Sequence, residues 1–187
     1  KSLYRRTLGL YGYGRIAKRV THYAEAFGMN VVWWASEAGR TRLLNDGRTI
    51  AVSRETFFQM ADVISLHVRL TPETRGIITK ADLLSMRKDA VFVNTSRAGL
   101  IEAGALLDAL DAGRPAQAAL DVFDQEPITT TTDPIATHPR VICTPHIGFV
   151  TEDELKLQFE DIFAQVAAFA AGEPTNVVNH EVSSELA

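Results

Sequence analysis

Apolar residues fall in short unbroken runs that alternate with segments of helical spacing. Thr7–Tyr11 (TLGLY) is an apolar run that ends in glycines, and residues 15–27 then place Ile16, Val20, Tyr23, Ala24 and Phe27 at helical intervals. Gly28 stands where that helix would stop, and Asn30–Trp34 reads as a second buried strand. The pattern repeats along the chain. Helical spacing is predicted for residues 54–60, 80–86 and 102–110, and strands for 62–66, 90–94, 116–120 and 141–143. Residues 151–171 form a long amphipathic helix, and 172–179 (GEPTNVVN) read as a linker leaving the domain. Strands alternating with helices imply a parallel sheet covered on both faces. With right-handed crossovers this is an α/β, doubly wound, Rossmann-type sheet. No internal repeat is present, and residues 129–132 are a short polar loop.

The 187 residues suffice for one such domain. A net charge of −4, with Lys and Arg scattered, gives no nucleic-acid surface. No apolar run approaches the ~18 residues that span a membrane, so no membrane partner is expected. Cys143 is the one cysteine, which excludes an internal disulfide and suits a reducing, cytoplasmic compartment. Its place inside a strand reads as core. His22, His138 and His180 show no metal-ligand spacing, and no metal is expected. The chain lacks an initiator Met and its first strand begins within a few residues, which reads as a piece of a longer protein.

Gly12-Tyr13-Gly14-Arg15-Ile16-Ala17 fits G-x-G-x-x-G/A, between a predicted strand and a predicted helix. Gly12 permits the tight turn, Gly14 lets the backbone approach a pyrophosphate, and Ala17 lets helix and strand pack closely. The helix start supplies free N–H donors. The loop therefore reads as a dinucleotide site. About 20 residues further on, an acid normally binds the ribose 2′-OH. Here that position is Ala35, followed by Ser36 and Glu37. The cofactor reading is NAD, with NADP left open. Arg40 and Arg42 could pair with a 2′-phosphate, Glu37 would oppose it, and the plainer reading makes both arginines solvated loop charges.

Three further segments follow predicted strands, where parallel sheets place ligands. They are NTSRAG (94–99), LDVFDQEP (120–127) and TPHIG (144–148). They bring Arg97, Glu126 and His146 to one sheet edge. Taken with GLYGYGRIA and ADVISLHVRLTPETRG, in this order and spacing, residues 7–150 resemble the D-isomer-specific 2-hydroxyacid dehydrogenases, which include phosphoglycerate, D-lactate and glyoxylate/hydroxypyruvate enzymes. The resemblance implies that Arg97 binds the substrate carboxylate and 2-oxo oxygen through its planar fork. It implies that His146 exchanges the hydroxyl proton and that Glu126 holds the other ring nitrogen. Asp121 would lie by the nicotinamide carboxamide. Thr95, Ser96, His67 and Val68 would line the cofactor, Arg15 and Ile16 would touch the pyrophosphate, and Tyr13, Ser36 and Gly148 complete the expected cofactor contacts.

Some residues depart from the commoner family pattern. Ala17 replaces the third glycine, Ala35 the ribose-binding acid, and Ala98 the glycine after the arginine. Arg69 stands where proline is frequent, on the side expected for the nicotinamide, and could add a positive charge there. Glu126 stands where formate dehydrogenases carry glutamine, which argues against that reaction. The resemblance implies a dinucleotide-binding domain over residues 1–172 and a return segment, 173–187, toward a substrate domain mostly absent from the chain. Weak turnover by the chain alone is the expectation. It also implies a small 2-hydroxy or 2-oxo acid as substrate and a C2 homodimer. The rival reading is an NADH-sensing module, like the C-terminal-binding corepressors, with little turnover. A relative with phosphonate or formate oxidation chemistry is a third.

Overall fold

A computed structural model of the chain describes residues 2–50, 53–129 and 132–179. The chain divides into two units, residues 1–146 and 147–187. The first holds six strands, β1 (Thr7–Tyr11), β2 (Asn30–Trp34), β3 (Val63–Leu66), β4 (Val91–Asn94), β5 (Gln117–Leu120) and β6 (Val141–Cys143). All pair in parallel in the order β2-β1-β3-β4-β5-β6. The order reverses at β1, between β2 and β3, the place where open α/β sheets bind ligands.

Residue alternation along the strands sends side chains to two cores. Leu8, Leu10 and Trp33 pack with Ala17 and Ala24 of α1 (Arg15–Ala26) and Leu43 of α2 (Glu37–Asn45). Ile64, Leu66 and Phe92 pack on the other face with Phe57 and Phe58 of α3 (Arg54–Met60), Leu83 of α4 (Lys80–Ser85) and Leu106 and Leu110 of α5 (Ala105–Asp111). Helices thus cover both faces, as the strand–helix alternation predicts. The second unit holds α6 (Glu152–Ala170), capped by Thr151, whose hydroxyl accepts from the Glu154 N–H at 3.1 Å.

The structure corrects three expectations. Arg40 and Arg42 lie on a helix, α2, not in a loop. The helix expected from residue 102 begins at Ala105, because Ile101 still bridges to Ile78 and Gly104 takes the left-handed conformation before it. Cys143 is only half-buried, because β6 is the sheet's edge strand. Its thiol is pushed up by partial burial and by nearby Asp133. Residues 130 and 131 of the expected polar loop and 180–187 of the expected return segment, His180 among them, lie outside the described residues.

One ionic node ties α3, α4 and β1 together. Arg54 donates from Nε and Nη2 to the two Asp82 carboxylate oxygens at 2.8 and 2.7 Å, from Nη1 to the Tyr11 hydroxyl at 2.8 Å, and to the Ile77 carbonyl. Asp82 also accepts from the Thr79 N–H at 2.8 Å, completing a capping box at the start of α4. Burial pushes the Asp82 carboxyl up, but the bonds from Arg54 and Thr79 outweigh it and hold the group below its ordinary value. Asp82→Asn leaves Arg54 half-buried with its charge unmatched. It should destabilise the chain by about 2 kcal/mol, read from the urea midpoint. A carboxyl depressed on folding adds stability above its unfolded pKa, about 3.9, and loses it as the pH falls through the folded value. The difference between wild type and variant should therefore shrink toward acid pH.

Candidate active site

The glycine loop closes directly off β1. Gly12 donates its N–H to the Trp34 carbonyl at 2.7 Å and has φ +109°. A Cβ there would run into the His67 carbonyl, so Gly12 is required by close approach as well as by conformation. Gly14 is different. A Cβ at Gly14 would meet nothing within 4 Å, so it would project into the open cleft where a ligand's backbone contacts would lie. Gly14 is also the N-cap of α1, which has no side-chain cap and no acidic residue in its first turn. The orphan N–H groups and the positive helix end are left to an anion. A cavity of about 300 Å³ opens here, lined by Gly14, Arg15 and Ile16 from the loop, His67 and Val68 after β3, and Thr95 and Ser96 after β4. These features fit a dinucleotide.

Arg69 lines the same cavity, after His67 and Val68. His67 is largely buried, which lowers its imidazole pKa, and its Nε2 lies 3.0 Å from the Ser65 hydroxyl. The neutral ring is thus the resting form near neutral pH. Tyr13 is the exception in the loop. Its side chain turns into the core, 6% exposed, and its hydroxyl donates to Asp46 at 2.7 Å. Lys18 bonds the same carboxylate oxygen at 2.6 Å, and these two bonds hold Asp46 below its ordinary pKa. The Tyr13 side chain therefore braces the loop against the C-terminal end of α2 and does not line the cofactor cavity. Ser36 lies at the tip of β2 and accepts from the Gly39 N–H at 3.4 Å as the N-cap of α2.

Beyond β4 the chain is held by a residue whose importance was not visible in the sequence. Asn94 is fully buried, donates to the Arg97 carbonyl at 2.9 Å and accepts from the Ser96 N–H at 3.0 Å. The Ser96 hydroxyl donates to the Val68 carbonyl at 2.7 Å, joining this loop to the one after β3. The turn carrying Arg97 is thus fixed from both sides. Arg97 itself is exposed and donates to the Ser96 carbonyl at 2.6 Å.

After β5, Asp121 is 5% exposed and accepts from the Thr144 hydroxyl at 2.5 Å, which joins the ends of β5 and β6. Glu126 accepts from the Phe123 N–H at 2.8 Å through Oε1 and meets His146 Nδ1 at 2.6 Å through Oε2. The bond to His146, then the bond from Phe123, hold the Glu126 carboxyl below its ordinary pKa, and the charge of Arg97 acts in the same direction. His146 has φ +53°, a strained backbone for a non-glycine residue. Arg97, Glu126 and His146 line one cavity of about 270 Å³, together with Leu70, Arg75 and Phe123. A larger cavity of about 380 Å³, lined in part by Leu106, Val122 and Ile135, contains none of these three. Chemistry, not size, picks out the site. Gly148 belongs to the second unit. Among the described residues, no three His, Cys, Asp or Glu side chains cluster as a metal site, and no helix is long and apolar enough to cross a membrane.

A parallel sheet with an uncapped glycine-loop helix at its switch point defines a dinucleotide-binding fold, and an Arg, a Glu and a His share one cavity of the same unit. Residues 1–148 match the model for "D-isomer specific 2-hydroxyacid dehydrogenase, NAD binding domain". The chain is 39% identical over 178 residues to D-3-phosphoglycerate dehydrogenase of Methanocaldococcus jannaschii, covering 95% of this chain and 34% of that protein. It is 37% identical over 179 residues to glyoxylate reductase of Aeropyrum pernix, covering 95% and 52%. The solved structure of a putative D-3-phosphoglycerate dehydrogenase from Ralstonia solanacearum superposes with a TM-score of 0.92 at 42% identity, over 96% of this chain and 52% of that one. The chain belongs to the D-isomer-specific 2-hydroxyacid dehydrogenases and carries their NAD-binding domain. It spans about half, or less, of the length of these relatives.

Proposed function

We propose that this chain is the cofactor-binding and acid–base half of an oxidoreductase that interconverts a D-2-hydroxy acid and the 2-oxo acid. The observation that carries the reading is the Glu126–His146 pair, 2.6 Å apart, on the same cavity as Arg97. Each residue has a role suited to its chemistry. Arg97, planar and always charged, binds the substrate carboxylate and its neighbouring oxygen through paired hydrogen bonds. Glu126 engages Nδ1 of His146, fixes the ring and balances the imidazolium. Proton exchange with the substrate oxygen then falls to Nε2. In reduction His146 gives that oxygen a proton as hydride reaches C2, and in oxidation it takes the proton as hydride leaves. Bound nicotinamide supplies or accepts the hydride.

Gly14, Arg15 and the α1 N–H groups would hold the pyrophosphate, and His67, Val68, Thr95 and Ser96 the nicotinamide side. Asp121 would take the carboxamide, and Gly148 is assigned to the cofactor by family resemblance alone. The C2 homodimer has the same basis, and light scattering tests it. The functional test uses the longest natural form of the protein carrying this chain. With NADH or NADPH it should reduce at least one of glyoxylate, hydroxypyruvate, phosphohydroxypyruvate and pyruvate, followed at 340 nm. Tight NADH binding with no turnover of any 2-oxo acid would instead favour an NADH-sensing module.

A further inference from the structure

Arg97, Glu126 and His146 share their cavity with a second arginine, Arg75. Its backbone is anchored on both sides. The Arg75 N–H donates to the Thr71 carbonyl at 3.0 Å, closing a turn in which the Thr74 hydroxyl accepts from the Thr71 N–H at 2.7 Å and donates to the Arg69 carbonyl at 2.8 Å. Beyond it, the Gly76 N–H donates to the Gly99 carbonyl and the Ile78 N–H to the Leu100 carbonyl, both at 2.9 Å. Residues 75–78 are thereby laid along the segment that follows Arg97. The approach is tightest at Gly99, where a Cβ would come within 2.9 Å of Arg75 Nη1 and 3.2 Å of Leu70 Cδ2. The Arg75 guanidinium thus lies over the backbone two residues after Arg97, in space that the missing side chain of Gly99 leaves.

That guanidinium makes no hydrogen bond or ion pair with any described residue. Two carboxylates line the cavity, Asp124 and Glu126. Glu126 is engaged by the Phe123 N–H and by His146, so Asp124 is the charge that opposes the two arginines. In the reading proposed above, Arg97 takes the carboxylate at C1 of the substrate. A singly charged 2-oxo acid has nothing further to offer a second guanidinium. Covered by an apolar substrate end, Arg75 would lose hydration with no bond in return. A second anionic group on the substrate would meet its free donors, and the planar fork suits carboxylate and phosphate alike.

We propose that Arg75 is a specificity-determining residue, which selects 2-oxo acids that carry a second anionic group at the end away from C1. The inference rests on the acid–base reading above but fails separately from it. The test uses the longest natural form of the protein and three matched pairs of substrates: oxaloacetate against 2-oxobutyrate, 2-oxoglutarate against 2-oxopentanoate, and phosphohydroxypyruvate against hydroxypyruvate. The first two pairs read a carboxylate and the third a phosphate. The wild type should favour the doubly charged member of at least one pair by roughly tenfold or more in kcat/KM, the gain expected of one charge-assisted contact. Arg75→Gln should remove that preference, mainly by raising KM for the doubly charged acid, while its singly charged partner loses far less. Arg75→Lys, which keeps the charge without the planar fork, should fall between. The turn is held through its backbone, so the variants should fold and still bind NADH. A wild type with no such preference in any pair, or an Arg75→Gln variant that keeps the preference or loses both members equally, overturns the inference and leaves the acid–base reading standing. Reduction of none of these acids overturns both.

Discussion

His146→Asn should lower kcat for 2-oxo acid reduction by about 10³-fold while NADH binding persists. The size is that of losing a positioned proton donor. Asparagine is the informative replacement because His146 has φ +53°, a conformation asparagine tolerates better than most residues. The variant therefore removes the imidazole without forcing the turn between β6 and the second unit. The loss should appear in kcat, since the proton moves only in the transition state. Glu126→Gln should cost less, because it leaves the imidazole present but loosens the 2.6 Å contact that orients it. A His146→Asn variant with wild-type kcat would remove the acid–base assignment.

Arg97→Met should lower kcat/KM on the order of 10³-fold, mostly through KM. Two hydrogen bonds between a guanidinium and a carboxylate are removed, each worth about 1.5–3 kcal/mol. Arg97→Lys should recover only part of this, because ammonium keeps the charge but cannot present the planar fork. The turn should survive either change. It is set by buried Asn94, which bonds the Arg97 carbonyl and not its side chain. Equal activity of Arg97→Lys and wild type would show that charge alone is used. Wild-type KM in Arg97→Met would remove Arg97 from substrate binding.

Much of this was legible in the sequence because the chemistry sits on backbone constraints. The glycine loop announces itself since Gly12 cannot carry a Cβ against the His67 carbonyl. The six strands follow from apolar runs, and the three site segments follow from their position after strands. What the sequence concealed was long-range. The α2 helix has Gly39 in its first turn and little apolar periodicity, so its arginines read as loop charges, although Ser36 caps the helix. Tyr13 stands in the motif, but its hydroxyl has a partner, Asp46, 33 residues away, that draws the side chain out of the cleft. Asn94 looked like the end of a strand, and its two bonds to the Arg97 turn exist only once that turn has formed. Glu102 looked helical, yet its carboxylate accepts from the Lys80 N–H at 2.9 Å while Ile101 pairs with Ile78.

The node at Arg54 and the site at His146 share a logic. In each, a carboxylate held below its ordinary pKa by hydrogen bonds fixes a cationic or basic partner. At Asp82 the result is a joint between helices. At Glu126 it is an imidazole held against the carboxylate on the cavity that Arg97 also lines.

Isotope transfer tests the proposed hydride chemistry most directly. The longest natural form of the protein is given cofactor deuterated at C4 of the dihydronicotinamide, together with the 2-oxo acid that it reduces. The product is then analysed by mass spectrometry and chiral chromatography. One deuterium is expected at C2 of a D-2-hydroxy acid when the transferred face carries the label. An L product, or reduction with no deuterium at C2 from either labelled face, would contradict it.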